Sequence, residues 1–218
     1  MSNRTPSTEL SETKRKLLDS GISLMRAKGY NATTVDDICQ AAGVTKGGFF
    51  HYFKNKDELA KAALTRFHEG KVHDYENAPF RKLADPMDRV FGRLDFVKSA
   101  SCDASHQTKG CLIGVFAQEM AFTNPELRAA CQAFFTKISD DFANDLAAAK
   151  AVHAPLARFE PRQLALLYLS IVQGSLMLAK VAASTDIIEN NIEQLRSYLQ
   201  TLFDLEPQAA RAADLLTA

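Results

Sequence analysis

The stretch from Thr33 to Leu59, TTVDDICQAAGVTKGGFFHYFKNKDEL, limits what this chain can fold into more than any other. Thr33 and Thr34 stand ahead of Asp36 and Asp37, and a hydroxyl residue followed three positions on by an acid is a helix start. Val35, Ile38 and Ala42 recur at helical spacing and give that helix one apolar face. Gly43 can turn left-handed without a Cβ clash, which suits a helix end and a tight turn. Thr45 is placed to cap a second helix, anchored by Phe49, Phe50 and Phe53. Lys54-Asn55-Lys56-Asp57 breaks the pattern, with Asn55 as the cap of a third helix. Two short helices across a Gly-containing turn form a helix-turn-helix.

The charges agree. No acid occurs between Asp37 and Asp57, whereas Lys46, Lys54 and Lys56 do. A polyanion repels carboxylates and attracts ammonium groups, so such a gap suits a surface that docks on a phosphate backbone. Gly47 and Gly48 are unusual inside a helix, where each costs roughly 1 kcal/mol against Ala. A bare helix face allows close approach to DNA; the alternative is a frayed helix start.

The segment resembles the DNA-binding domain of the tetracycline-repressor (TetR) family. The matching residues are Gly29-Tyr30, Thr33-Thr34-Val35, Ile38, Ala41-Ala42-Gly43-Val44 and Thr45-Lys46-Gly47. They continue through Phe49, His51-Tyr52-Phe53 and Asn55-Lys56-Asp57-Glu58-Leu59. The resemblance implies an all-helical homodimer that represses transcription and releases double-stranded operator DNA when a small effector binds. Two reading helices then meet a palindrome in successive major grooves. Lys46 is the candidate for a base edge, a guanine, with Thr45 and Gly47 beside it. Tyr52, Lys56 and Thr34 are cast as phosphate clamps, and His51 suits either task. Core packing is the alternative for Tyr52, and Phe49 and Phe53 are read as core. Phe50 departs from the Tyr common in the family, so a hydroxyl contact to phosphate is missing there.

The whole chain is consistent with one or two all-α domains: 218 residues, 46% hydrophobic, 24% charged. Net charge is zero, but residues 1–70 carry a basic excess of three and the remainder an acidic excess of three. The four cysteines, Cys39, Cys102, Cys111 and Cys131, show no CxxC pair and no zinc spacing. No metal or cofactor is expected. No secretory signal is seen and no apolar run approaches the roughly 20 residues of a membrane span, so a cytoplasmic protein with reduced thiols is expected. No Gly-rich phosphate loop, G-x-S-x-G, H-E-x-x-H or matched acid pair points to an enzyme.

About nine helices are expected, with the functional boundary near Gly70. Residues 9–70 form the DNA-binding domain and residues 71–218 the effector-binding and dimerisation domain. Met1 to Thr8 reads as a loose arm, with Arg4 able to reach a minor groove. A first helix runs from Glu9 to Lys28, with Lys14, Arg15 and Lys16 on its polar face. The third helix of the reading unit continues to His73. Further helices cover Met87 to Val97, Gly110 to Phe122, a long run after Asn124-Pro125, Pro161 to Ala183, and Asp186 to Phe203. Ser99 to Gly110 reads as a loop, and the tail from Pro207 as a short helix or frayed end. The last two helices, apolar on more than one side, are expected to build a four-helix bundle with a second copy; a monomeric core is the alternative.

Most aromatic and Met residues of the second domain are core, but a few can line an apolar effector pocket. The candidates are Phe91, Phe116, Met120, Phe134, Tyr168, Gln173 and Met177, with Gln118 and Glu119 as further polar groups. Cys111, at a loop-to-helix junction in Lys109-Gly110-Cys111-Leu112, permits a different signal. A thiol at a helix start can become a reactive thiolate, with His106 and Lys109 helping and Cys102 as resolving partner. A buried, inert cysteine is the alternative.

Overall fold

Ser11 opens the first helix: its hydroxyl accepts from the backbone N–H of Lys14, and α1 runs Glu12–Lys28. The structure is a computed structural model that describes residues 11–102 and 110–204. The readings of the N-terminal arm, of His106 and Lys109, and of the tail from Pro207 lie outside those residues. Thr34 caps α2 (Val35–Ala42) in a reciprocal box with Asp37, and Gly43 ends it at φ 65°, where a Cβ is strained. Thr45 caps α3 (Lys46–Tyr52) through Gly48 N–H, and Asn55 caps α4 (Lys56–Glu76) through Glu58 N–H. Each of these starts follows from a side-chain oxygen reaching a backbone N–H that the first turn leaves unpaired.

The body follows as α5 (Pro86–Cys102), α6 (Leu112–Met120), α7 (Pro125–His153), α8 (Pro161–Ala182) and α9 (Asp186–Leu202). These make nine α-helices among the described residues, and no strand is present among them. Asn124 caps α7, with Pro125 in its first turn, where a missing N–H does no harm.

Buried residues form two clusters. One joins Leu17, Ile38, Phe49, Phe53 and Leu59 of the first four helices to Ile113 and Phe116 of α6 and to Leu127 and Phe134 of α7. The other joins α5, the rest of α7, α8 and α9 around Leu94, Phe142, Tyr168 and Leu199. The reading unit therefore shares its core with α6, and Gly70 lies inside the continuous helix α4.

Several element ends differ from the sequence reading. α5 continues through Ser99 to Cys102, and Ala100 and Ser101 in this last turn line a cavity. α6 stops at Met120, and Phe122, expected within a buried helix, is 98% exposed in the turn that follows. A 3-10 turn at Pro79–Lys82 was not foreseen; its Phe80 is buried and anchors the chain. α8 is, by length and composition, apolar enough to cross a membrane, contrary to the reading that no run comes close. That content has a packing cause on one side, where Leu164, Ala165 and Tyr168 are buried, while Leu166, Leu167 and Val181 stay exposed.

The least expected side chain is Arg93 of α5, which is completely buried. The rings of Tyr75, Phe80 and Phe142 surround its guanidinium at 5.1, 5.3 and 5.1 Å. Its Nη2 donates to Asp141 and Asp145 of α7, which also accept from Arg81, while Arg89 donates to Asp145 at 3.2 Å. Its Nε and Nη1 have no hydrogen-bond partner among the described residues. Burial alone would raise the Asp141 carboxyl, but Arg93 and Arg81 outweigh it and hold the group below the ordinary carboxylate range. That contribution is complete above the unfolded value, about pH 4, and is lost as pH falls through the lower folded one. Arg93→Ala should lose about 3–5 kcal/mol in urea unfolding at neutral pH, because it empties a fully buried site between three rings and removes the donor that bridges Asp141 and Asp145. Asp141→Asn should flatten the loss of stability that the unaltered chain shows below about pH 4.

Candidate nucleic-acid interface and the cavity behind it

α3 is short, and its sides are sharply divided. Phe49 is fully buried and Phe53 nearly so, as expected, and Tyr52 packs partly against the same core. The outward side carries Lys46, Gly47, Phe50 and His51, all exposed. Phe50, 55% exposed, stands one turn from Lys46 and Gly47 with its ring edge-on to Phe49 at 5.3 Å. The sequence reading grouped Phe50 with the apolar anchors, although the family resemblance put a phosphate-touching residue at the same position; the structure turns it outward. Its i+3 spacing from Gly47, against the i+4 spacing of Phe49 and Phe53, was the available signal.

The two glycines separate. A Cβ on Gly48 would come within 2.7 Å of Val44 Cγ1, so this position is small for internal packing. A Cβ on Gly47 would find nothing nearer than Thr45 Oγ1 at 3.9 Å, so nothing inside the protein requires its absence. Both lie within α3 and not in a frayed start.

The polar candidates divide in the same way. Lys46 projects into solvent and pairs with Asp36 of α2 at 2.8 Å, which raises its pKa through that hydrogen bond and charge. His51 stands edge-on to Tyr52 at 4.7 Å. Thr45 spends its acceptor on Gly48 N–H at 3.1 Å, while Thr34 both accepts from Asp37 N–H and donates to its carboxylate. Lys56 is turned inward. Its ammonium donates to the carbonyls of Tyr30 and Thr33, 2.9 Å each, and sits 4.0 Å over the Tyr30 ring. Cast as a phosphate clamp, it ties the α1–α2 connection to α4, because two carbonyls and an aromatic face replace its water. Lys14, read as solvated, lies 5.7 Å over Phe53, and Arg15 and Lys16 pair with Asp19 and Glu12 one turn away.

Behind this unit lies a partly enclosed cavity of about 110 Å³. Its walls come from α1 (Arg26), α4 (Phe67, Lys71, Tyr75), α5 (Phe96, Val97), the start of α6 (Cys111), α7 (Phe134, Ile138) and α8 (Tyr168, Val172, Gln173). Of the residues expected to line a pocket, Phe134, Tyr168 and Gln173 are there. The other four are not. Phe116 and Met120 are buried in the core shared with the reading unit, Phe116 edge-on to Tyr30 at 5.9 Å. Phe91 carries the Arg196 guanidinium over its ring at 5.2 Å, and Met177 is 52% exposed on the outer side of α8. Helical period identifies apolar faces but not which face borders a void, so these four were indistinguishable from true lining residues. The contributions of α1 and α4 were missed altogether, because both helices were assigned to the DNA reader.

The cavity has a polar end. The hydroxyls of Tyr75 and Tyr168 meet at 3.3 Å, and burial raises the pKa of both, with Arg93 acting against the shift. Cys111 is the N-cap of α6 and makes no side-chain cap hydrogen bond, so its thiol is not consumed by the helix start. Cys102 faces elsewhere: Glu189 and Thr185 beside α9 act on it, and burial raises its pKa. All four cysteines are free.

Three contacts tie the cavity wall to the reading unit. Arg26 Nε donates to Gly110 O at 2.8 Å, and Lys180 Nζ of α8 donates to Arg26 O at 2.9 Å. At the far end of α6, Glu119 accepts from Asn31 N–H at 2.8 Å, beside Gly29, whose φ of 93° leaves room for the carboxylate. Glu119, considered for ligand binding, thus holds the α1–α2 connection, and Gln118 is exposed.

Comparisons with known proteins bear on the fold and the family. Residues 17–63 match the bacterial regulatory proteins of the TetR family, and residues 95–194 match the C-terminal domain of LmrA/YxaF-like transcriptional regulators. The chain is 30% identical over 175 residues to the HTH-type transcriptional regulator YxaF of Bacillus subtilis, covering 79% of this chain and 87% of that one. It is 23% identical to the transcriptional repressor DhaR of a Mycobacterium species, over 88% of this chain and 90% of DhaR. A crystal structure of regulatory protein TetR from Rhodobacter sphaeroides superposes with a TM-score of 0.76 at 25% identity, covering 85% of this chain and 97% of that one.

The glycines provide the test of the outward side of α3. Gly47→Ala should leave thermal stability unchanged or raise it by about 0.5–1 kcal/mol, the helical gain of Ala over Gly, while weakening duplex binding. Gly48→Ala should lower stability through Val44. Melting curves and gel shifts on the two variants separate the roles.

Proposed function

We propose that this chain, which belongs to the TetR family of bacterial regulatory proteins, is a homodimeric repressor. It holds a palindromic operator with paired α3 helices and lets go when a small molecule fills the cavity behind them. The observation that carries the reading is the outward side of α3: a lysine, a bare glycine, an exposed ring and a histidine on a rigidly anchored helix, with no acid of its own. A helix presented in this way enters a major groove. Lys46 is assigned a guanine edge and Phe50 a thymine methyl, the one feature of a base pair that an apolar ring recognises. Tyr52 and His51 are assigned phosphate or base contacts at the rim. Thr34, Thr45 and Lys56 act chiefly by holding the helices in place.

The homodimer is supported by the outer side of α8 and α9. Leu167, Ile171 and Leu178 of α8 and Leu195 and Tyr198 of α9 line an open, largely apolar groove, and Val181 of α8 is exposed as well. Leu166 borders a separate groove against α6 and α7; the apolar surface along α8 and α9 marks a protein interface, and a twofold axis is the simplest closure. Such an axis sets two α3 helices on one side of the assembly. A protein that works on chromosomal DNA has its place in the cytoplasm.

Coupling to the cavity is supported by the position of Arg26, Phe67, Lys71 and Tyr75, which belong at once to the cavity wall and to helices of the reading unit. A ligand that pushes this wall moves α1 and α4 with it.

A second reading is favoured by one observation, the Cys111 thiol on the cavity wall. Alkylation of that sulfur by an electrophile would place a group in the cavity, with release of DNA as for a bound effector. Cys111→Ser should then retain operator binding and lose release by thiol-reactive compounds; unchanged release rules this route out.

For the main reading, binding to the chain's own promoter region should fall steeply with salt and prefer one sequence. Lys46→Ala should weaken binding on the order of ten- to a hundredfold at the preferred operator and relax preference at one base position. Leu178→Arg should give monomers in sedimentation and lose operator affinity with α3 intact. Dimers that persist, or equal loss by Lys46→Ala on every duplex, contradict the assignment.

A further inference from the structure

We infer that the ligand of the cavity is a small organic anion, a carboxylate with a short apolar body, whose head is received by Arg26. This rests on reading the cavity as the effector site and names what that site takes.

The argument is one of charge balance. Among the described residues, the titratable groups on the wall are Arg26 from α1, Lys71 and Tyr75 from α4, Cys111 before α6, and Tyr168 from α8, and none of the described Asp or Glu residues lines it. Lys71 has a counter-charge in Asp74, 3.2 Å away on the outer side of the same helix. Arg26 has none among the described residues. Its Nε is satisfied by Gly110 O and its guanidinium lies 5.7 Å over the Phe67 ring, but its two Nη groups form no hydrogen bond among the described residues. Burial pulls its pKa below the ordinary guanidinium value, the signature of a cation taken from water without an acid to balance it. A guanidinium stays protonated nonetheless, and its free fork matches a carboxylate with two parallel bonds.

The polar end of the cavity adds to the field. Arg93, Arg81 and Arg89 are three cations against Asp141 and Asp145, so this cluster carries a surplus positive charge. It stands behind Tyr75 and Tyr168, and the charge of Arg93 is felt at both hydroxyls. Low-dielectric walls carry such a field farther than water does.

Size and lining decide the rest of the molecule. At about 110 Å³ the cavity is small against the roughly 300–1,000 Å³ that drug-sized ligands occupy. Phe96, Phe134, Ile138 and Val172 offer apolar surface, which favours a short hydrocarbon or one ring over a bare inorganic ion. Because Arg26 lies on α1, the head group of such a ligand touches the reading unit itself.

The test uses the full-length protein and three pairs of matched probes: propanoate, butanoate and benzoate against propanamide, butanamide and benzamide. Calorimetry reads affinity, and fluorescence anisotropy reads release from operator DNA. At least one acid should bind ten times or more tighter than its amide, and Arg26→Gln should erase that difference while leaving the amide unchanged. Arg26→Lys, which keeps the charge without the fork, should retain part of the preference. Amides that bind as well as acids, acids that do not bind, or a preference that survives Arg26→Gln would overturn the inference. If Arg26→Gln does not fold, the comparison on unaltered protein decides alone. Operator binding without ligand is measured separately: its loss with the acid preference intact removes the repressor reading and keeps the anion site, and the reverse result removes only the anion site.

Discussion

The apolar core that α6 and the first half of α7 share with the reading helices is the constraint on which the rest of the molecule depends. Ile113 and Phe116 on one side and Leu17, Met25, Ile38 and Phe49 on the other belong to one buried cluster. A core packed at crystal-like density does not deform gradually; its elements shift together or stay. The helix that begins at the cavity with Cys111 and ends with Glu119 on the α1–α2 connection therefore behaves as one rigid piece. It spans about nine residues, from the cavity to the backbone that positions α2 and α3, and so lies along the path that the proposed coupling requires.

Polar contacts at the edge of that core set direction. Lys180 holds the carbonyl of Arg26, Arg26 holds the carbonyl of Gly110, and Lys56 holds the carbonyls of Tyr30 and Thr33. All are long cationic side chains gripping main-chain oxygens, and all sit where one helix hands over to the next. A cation on a carbonyl is charge-assisted and stronger than a neutral hydrogen bond. Yet it is exchangeable, since any anion of suitable shape competes for the same donor. The junctions of this molecule are thus firm at rest and open to a charged competitor.

The local signals in the sequence were strong where a cap is made by neighbours in the chain. Thr34 with Asp37, Gly43, Thr45, Asn55 and Asn124 each act within four residues, and each was legible. The stripes of α7 and α9 were legible too, because one face of each is buried. What escaped was decided by distant residues. Arg93 carries no local signal of burial, since only the convergence of Asp141 and Asp145 on α7 makes it tolerable. The tie from Lys56 to the carbonyls of Tyr30 and Thr33 gives no local signal either, because those acceptors lie far away in the chain. Phe116 and Phe134 have the same periodicity, yet one fills a core and the other borders a void.

With Lys46 on a base edge, as proposed, its pair with Asp36 has a consequence for discrimination between duplexes. To reach a base, the lysine has to abandon a partner it already has. The carboxylate it leaves behind then stands close to a row of phosphates, where it is repelled. On a duplex that offers a good acceptor the exchange is compensated. On one that does not, the lysine gains little by leaving and the acid keeps the surface locally neutral. A built-in counter-ion of this kind lowers affinity everywhere but lowers it most on the wrong sites, so it sharpens the contrast between an operator and the mass of unrelated genome around it.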